Sequence, residues 1–463
     1  METVQPEVTR IEKDLLGSKE VPINSYYGIH TIRALAQVKK ASAQTNLQFN
    51  KISEEISVAI QKASDQLIEN PQNWKDAFPS DVYQGGAGTS INMNTNEVIA
   101  NIALESLGYA KGRYDIIHPN DHVNKSQSTN DVYPTALRLA TYYSLDLLFE
   151  KINNLISSLT LKSAEFQYVL KMGRTQLQDA VPMTLGQEFH AFATLLKEDV
   201  RLIKKTRELL LEINLGATAI GTGVNTPHGY AAQVNENLKA LTGLNLIGAE
   251  DYVEATSDCG VFIILSSTLK RLAVKLSKIC NDLRLLSSGP RTGLWEIRLP
   301  ELQAGSSIMP AKVNPVIPEV VNQVAFKVLG NDLTITFAAE AGQLQLNVME
   351  PVIALTMNES IELLINAIQT LDEKCIQGVV ANEKTCFDAV MRSVGIITLL
   401  DPILGHAKCD EIGKQCIAEN KTIQEVVLEQ GLLSQERLDE IFSFENMISE
   451  IAVQPYEEIG KAG

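Results

Sequence analysis

The strongest constraint on this chain is a set of long segments whose apolar residues recur every three or four positions. One begins at Pro134 and runs towards Phe166. A second carries Leu185, Phe189, Phe192, Leu196, Val200 and Ile203 and stops near Gly216. A third runs from Phe262 to Ser288 and meets Gly289-Pro290, and others follow Pro318 and Pro351. Such spacing gathers apolar side chains on one face of an α-helix, and Gly or Pro just past the run ends it. Each segment is roughly 25 to 30 residues, about 40 Å at the helical rise per residue. No alternating strand set interrupts them. The predicted fold class is therefore all-α: a long central helical bundle with smaller N- and C-terminal domains. Long helices side by side expose apolar flanks, so self-association around a multi-helix core is expected.

Texture divides the chain into three predicted domains. Residues 1–130 mix short helical runs with Gly- and Asn-rich loops and form a mostly helical N-terminal domain. Residues 131–384 hold the long helices of the bundle. Residues 385–463 are more polar and form a small helical domain, in which Thr422 with Glu425 has capping-box spacing and Ser434 caps the next helix.

Composition excludes several function classes. The formal net charge of −16 argues against a general grip on nucleic acid. An acidic protein that binds anions must build a locally positive pocket from Lys, Arg or helix N-termini. The opening METVQPEVTRIEKDLLG lacks a basic start followed by an apolar run, so no signal peptide is expected. No window has eighteen uninterrupted apolar residues, so no membrane span is expected, and the location is read as cytoplasmic. Cys259, Cys280, Cys375, Cys386, Cys409 and Cys416 are scattered without a CxxC pair, as reduced thiols are. The six histidines form no metal-binding pattern.

Four loops carry residues suited to chemistry on an anion. In AGSSIMPAKVNP, Ala304 to Pro315, the run Gly305-Ser306-Ser307 offers hydroxyls and accessible N–H groups, with Lys312 and Asn314 close behind. Such a loop can hold a carboxylate between N–H donors and a cation; a bare Gly-Ser-Ser loop is more often plain surface. In HPNDHVNKSQSTNDVYPTA, 118–136, Ser128, Thr129 and Asn130 precede an apolar run with Pro134 in its first turn. Hydroxyl and amide groups at a helix start suit an anion, although capping by Asn130 or Asp131 accounts for part of the pattern. In GGAGTSINMN, Thr89 follows a Gly-rich loop that is neither a dinucleotide nor a phosphate-loop pattern, and a tight turn is the plain alternative. In GRTQLQDAVPMTLGQEF, 173–189, Thr175 and Gln176 sit in what reads as a loop leading into a helix.

The string GSSIMPAKVNP resembles the signature loop of the fumarase/aspartase superfamily, and within it the aspartase branch. The resemblance runs from RIEKDLLGSKEVPINSYYGIHTIRA at 10–34 to VVLEQGLLSQERLDEIF at 426–442. It implies deamination of L-aspartate to fumarate and ammonia by a homotetramer whose active sites are each shared by three subunits. It assigns Ser306 as the base that takes the C3 proton, although a neutral serine is a poor base and the residues alone would point to His or Glu. It places Thr89, Ser128, Thr129, Asn130, Thr175, Gln176, Ser307, Met309, Lys312 and Asn314 around the substrate. Thr89, Ser128, Thr129 and the backbone at Ser307 would stabilise charge on the β-carboxylate. Lys312, Asn314 and Thr175 would orient the α-carboxylate, and Asn130 would face the amine. The resemblance implies no required cofactor, and activation by a divalent ion such as magnesium.

Fumarases carry His where this chain has Gln176, which lowers the case for hydration. Fumarate hydratase stays as an alternative, as do a lyase for a decorated succinate and a non-catalytic structural relative. In fumarases a carboxylate at the position of Glu319 pairs with that His; here a structural hydrogen bond is expected of it.

Overall fold

The computed structural model describes residues 9–14, 17–22, 29–303, 309 and 312–448. In chain order, strands β1 (Thr9–Asp14) and β2 (Gly17–Pro22) precede helices α1 (Ile29–Gln48), α2 (Glu54–Glu69) and α3 (Thr89–Ser106). A single π-helical turn, Pro119–Val123, leads to α4 (Thr129–Glu165). Strands β3 (Leu170–Thr175) and β4 (Gln178–Thr184) then feed α5 (Leu185–Arg207). Next come β5 (Glu212–Ile213), α6 (Tyr230–Thr242), β6 (Ile247–Gly248), α7 (Tyr252–Ser257) and α8 (Gly260–Leu286). After β7 (Ile297–Arg298) follow α9 (Val316–Glu340), α10 (Glu350–Lys374), β8 (Val380–Ala381) and α11 (Glu383–Arg392). The chain closes on α12 (Asp401–Leu404), α13 (His406–Glu419), α14 (Ile423–Glu429), α15 (Gln435–Ile441) and α16 (Phe444–Met447).

The five long helices α4, α5, α8, α9 and α10 coincide with the periodic segments, and the bundle architecture stands. Leu185, Phe189, Phe192, Leu196 and Ile203 of α5 are fully buried, as their spacing requires. Thr422 and Glu425 form the capping box of α14, and the Ser434 hydroxyl accepts from the Arg437 N–H at the start of α15. Strands occur only as two-residue to seven-residue pieces in two-stranded pairs among the described residues. The pair that matters is β3–β4, an antiparallel hairpin where a loop leading into α5 was expected. A bulge between Met172 and Arg174 interrupts the alternation, and the turn carries no Asn-Gly, so its two ordinary sequence signals are missing.

The chain forms two compact units. Unit 1 comprises residues 1–150, 199–273 and 325–365; unit 2 comprises 151–198, 274–324 and 366–463. In unit 1, α1 packs against α2, α3 and α6. In unit 2, α11 packs on β3, and α13, α14 and α15 enclose an apolar cluster that includes Ile412, Val426 and Leu438.

One face of α9 stays uncovered. Phe326, Leu333 and Phe337 are 65%, 56% and 64% exposed along one stripe. The stretch Glu350–Gly378 is long and apolar enough to cross a membrane by composition, but half of its most apolar window is buried within the protein. It also carries Glu359, which is bound by Lys327 and Asn331, so it reads as a core helix.

Candidate active site

Two of the four loops lie in unit 1, at the starts of α3 and α4. Gly88 ends the Gly-rich loop with φ +88, and a Cβ there would lie 2.5 Å from the Tyr133 ring of α4. Only glycine combines that backbone with so close an approach. Thr89 opens α3, exposed, its hydroxyl donating to Gly86 O at 2.6 Å. One turn later the Asn92 amide donates to Thr129 Oγ1 at 2.9 Å, which ties the first turn of α3 to the start of α4. Ser128 Oγ accepts the Asn130 N–H at 3.2 Å. The Asn130 amide nitrogen donates to Ala219 O at 2.7 Å, leaving Oδ1 as its acceptor end. Two helix N-termini, each with its positive dipole end, are thus bound together around three hydroxyls and an amide.

Beneath this surface lie two buried ionisable groups: Lys39, which sequence reasoning missed, and Asp131, which it read only as a helix cap. Lys39 of α1 is fully buried and donates to Asn124 Oδ1 at 2.8 Å and to Gln127 Oε1 at 3.0 Å. Burial lowers it to about 7, with Asp131 pulling the other way. Asp131 is also fully buried. Its carboxylate accepts the N–H of Ser128 at 2.9 Å and those of Gly216 and Thr218 at 3.0 Å each. Burial nonetheless pushes it up to about 6. The signal for Lys39 was present. Ile32, Leu35, Lys39, Ser42 and Asn46 share one three-and-four stripe of α1, and all five are buried. A cation on an apolar stripe needs partners, and here they belong to the loop ahead of Ser128.

The other two loops lie in unit 2. Thr175 ends β3, and Gln176 and Leu177 form the turn of the hairpin, all three exposed. Gln176 has φ 55 and Leu177 φ 63, the left-handed region that non-glycine residues avoid. Ala87, Ser126 and Thr218, in the loops of unit 1, share that region. Such strain is concentrated at functional sites. Met309 and Lys312 are exposed, with the Lys312 N–H on Met309 O at 3.3 Å. Asn314 is half-buried just ahead of α9, and its carbonyl accepts the Val316 N–H at 2.9 Å. Glu319 sits in the first turn of α9, its own N–H bonded to Pro315 O at 3.2 Å. Ser306 and Ser307 lie outside the described residues.

The hairpin is anchored by a buried ion-pair cluster, also missed from sequence. Arg174 donates to Glu296 Oε1 at 2.6 Å, and Lys171 lies 2.9 Å from Glu296 Oε2 and pairs with Glu188. Burial would lower Lys171, but Glu188 and Glu296 reverse the sign and hold it above the ordinary lysine value. Across the turn, Asp179 Oδ2 accepts from the Ser393 hydroxyl at 2.7 Å.

Chemically, the unit 1 surface offers N–H, hydroxyl and amide donors to an anion. The unit 2 surfaces offer a hydroxyl, a cation and an amide. Among the described residues no group of three or more His, Cys, Asp or Glu side chains is placed to hold a metal.

Comparison with known proteins gives these surfaces a context. Residues 17–330 match the sequence pattern of the Lyase family, and residues 396–449 match the fumarase C C-terminus. The chain is 58% identical over 459 residues to the aspartate ammonia-lyase of Escherichia coli K12, covering 95% of this chain and 96% of that protein. It is 53% identical to the aspartate ammonia-lyase of Pseudomonas fluorescens over 95% of this chain and 96% of that one. Among solved structures it is similar to a fumarate lyase:delta crystallin from Brucella melitensis bound to cobalt. That match has 48% identity and a TM-score of 0.87, over 94% of this chain and 98% of the other. A class II fumarase from Schistosoma mansoni matches at 33% identity with a TM-score of 0.85, again over 94% and 98%.

Proposed function

Because the chain belongs to the fumarase/aspartase family of lyases, we infer that it is a carbon–nitrogen lyase that converts L-aspartate reversibly into fumarate and ammonia. The observation that carries this reading beyond family membership is the Asn92 bridge. It joins the starts of α3 and α4, with Thr89 and Ser128–Asn130, into one anion-binding surface.

We propose the following division of labour. Ser306, as alkoxide, takes the C3 proton, and the electron pair moves into the β-carboxylate to form an aci-carboxylate dianion. The pair then returns to form the C2–C3 double bond as the C2–N bond breaks on the opposite face and ammonia leaves. Thr89, Ser128, Thr129 and the backbone at Ser307 stabilise the dianion. A single preorganised donor of this kind contributes about 3–4 kcal/mol to the transition state. Thr175, Lys312 and Asn314 orient the α-carboxylate, Asn130 faces the amine through Oδ1, and Gln176 and Met309 line the site.

The proposed substrate contacts come from segments far apart in sequence, at 89, 128–130, 175–176 and 306–314. Together with the uncovered stripe on α9, this supports a homotetramer in which each site draws on three subunits. We place the enzyme in the cytoplasm, in keeping with six buried cysteines that are all free. The reaction needs no organic cofactor. We further propose that a divalent ion such as magnesium activates the enzyme.

The test is the ultraviolet absorbance of fumarate formed from L-aspartate, alongside fumarate incubated with and without ammonium. Aspartate in the second assay supports the reading, and malate overturns it in favour of hydration. Ser306→Ala should assemble normally and lose at least a thousandfold in kcat, by analogy with removing an acid–base group together with its activation; near-normal turnover refutes the assignment of the base.

A further inference from the structure

We propose that Glu296 is a positioning residue for this reaction, acting through Arg174 to set the turn that presents Thr175. The inference rests on the reading of Thr175 as a carboxylate contact.

Thr175 sits at the end of β3, exposed, beside two residues in the left-handed region. The two-residue hairpin turn requires positive φ at both central positions, and Gln and Leu, at φ 55 and 63, are poorly suited to it. Contacts from outside the hairpin add to its strand pairing. The bulge at Met172/Arg174 depends on Gly173, where a Cβ would lie 2.8 Å from Val181 O. Bulges re-aim the side chain that follows, and the side chain that follows is Arg174. Its guanidinium reaches Glu296 Oε1 at 2.6 Å.

Glu296 is a firm anchor. Its N–H donates to Leu286 O at 2.9 Å, its carbonyl accepts the Asn382 N–H at 2.8 Å, and Lys171 holds its other carboxylate oxygen at 2.9 Å. The carboxylate is buried and the guanidinium largely so, and in such surroundings a charge-assisted pair is strong and directional. A fold held together for stability alone could place that pair anywhere in unit 2. Here it falls on the residue immediately before Thr175.

The test is a double-mutant cycle in the full-length assembled enzyme, read as kcat and KM for L-aspartate. Arg174→Met cuts the link and leaves Glu296 paired with Lys171. The expected loss is about 10- to 100-fold in kcat/KM, the scale of a displacement near 1 Å, measured at a temperature where the variant is fully folded and assembled. Arg174→Lys should recover part of it. In a Thr175→Ala background the same Arg174→Met change should cost less than about threefold, because its effect passes through Thr175. Equal losses in both backgrounds, or no loss in either, overturn the inference. Should Arg174→Met fail to assemble, Glu296→Gln replaces it in the same cycle; failure of both to fold assigns the cluster to stability and equally overturns it. An inactive wild type would instead overturn the proposed reaction, so the two failures are distinguishable.

Discussion

The two units bury a lysine in opposite ways. In unit 1, Lys39 is sealed among neutral oxygens, those of Asn124 and Gln127, with Asp131 near enough to act on its charge but bonded elsewhere. In unit 2, Lys171 sits directly between the carboxylates of Glu188 and Glu296. The first lysine is pulled down to about 7, while the second is held above its ordinary value. Desolvation acts on both, and what differs is the charge of the first neighbour. A charge met by amides stays sensitive to pH, whereas a charge met by carboxylates is insensitive to pH and intolerant of losing a partner. Both devices underlie loops that carry proposed substrate contacts.

The sharpest way to break the comparison is Lys171→Met. It strips one charge from a buried cluster, leaving Glu188 without its lysine and Glu296 with Arg174 alone. Breaking a buried pair by removing one partner costs about 3–5 kcal/mol. The loss should be the same from pH 6 to 9. A lysine raised in the folded state contributes stability that is fully present below the unfolded value of 10.5 and disappears only as pH climbs through the still higher folded value. Denaturant midpoints across that range measure it. A loss below about 1 kcal/mol, or one that varies with pH, would place Lys171 in the same class as Lys39.

Lys39→Met should be milder and should depend on pH. It leaves the buried oxygen of Gln127 without its lysine donor and that of Asn124 with only the long Asn92 bond at 3.4 Å, a cost of about 1–3 kcal/mol. The sign of the pH effect follows from the lowered folded value of about 7 against 10.5 in the unfolded chain. Between those values the unfolded chain holds the proton and the folded chain does not, so wild-type stability rises with pH over that window. The methionine variant lacks this rise. The gap between wild type and variant should therefore widen by on the order of 1 kcal/mol per pH unit from about pH 7 to 9. A gap constant with pH would show that Lys39 is charged throughout and that the contrast between the units is false.

These same residues mark where the sequence could be read and where it could not. The long helices were legible because Phe189, Phe192 and Leu196 repeat on a helical period that only a buried face explains. Thr89 and Ser128–Asn130 were legible as helix starts because hydroxyls and amides ahead of an apolar run have a local meaning. Lys39 was half legible, as a cation on the apolar stripe of α1, but its partners lie 85 and 88 residues away. Glu296 was not legible at all. Nothing local distinguishes it from Glu301, and its role comes from Arg174, 122 residues earlier, which only the fold brings to it. The hairpin of Thr175 was hidden by a bulge and by a turn without glycine, two departures from local preference at the place where the chain carries a proposed substrate contact. Such sites are where local rules are expected to fail.

That departure gives the smallest and most specific prediction. Leu177 is 70% exposed with φ 63, so it gains little from burial and sits in the conformation that suits it least. A non-glycine residue there costs roughly 1–2 kcal/mol, while glycine costs about 0.5–1 kcal/mol in the entropy it loses on folding. Leu177→Gly should therefore leave the protein unchanged or more stable by up to about 1 kcal/mol, seen as a small rise in denaturant midpoint. If the anchors at Arg174 and Asp179 were mere reinforcements of a turn that already prefers its shape, glycine would destabilise it by the full entropic cost. A stabilised variant with weakened kcat/KM would show that unit 2 holds its hairpin under strain for the sake of presentation. In unit 1 the corresponding loop is underpinned by Lys39 and Asp131, so a parallel change at Ser126, φ 59, should move stability in the same direction but by less: serine tolerates the left-handed region better than leucine.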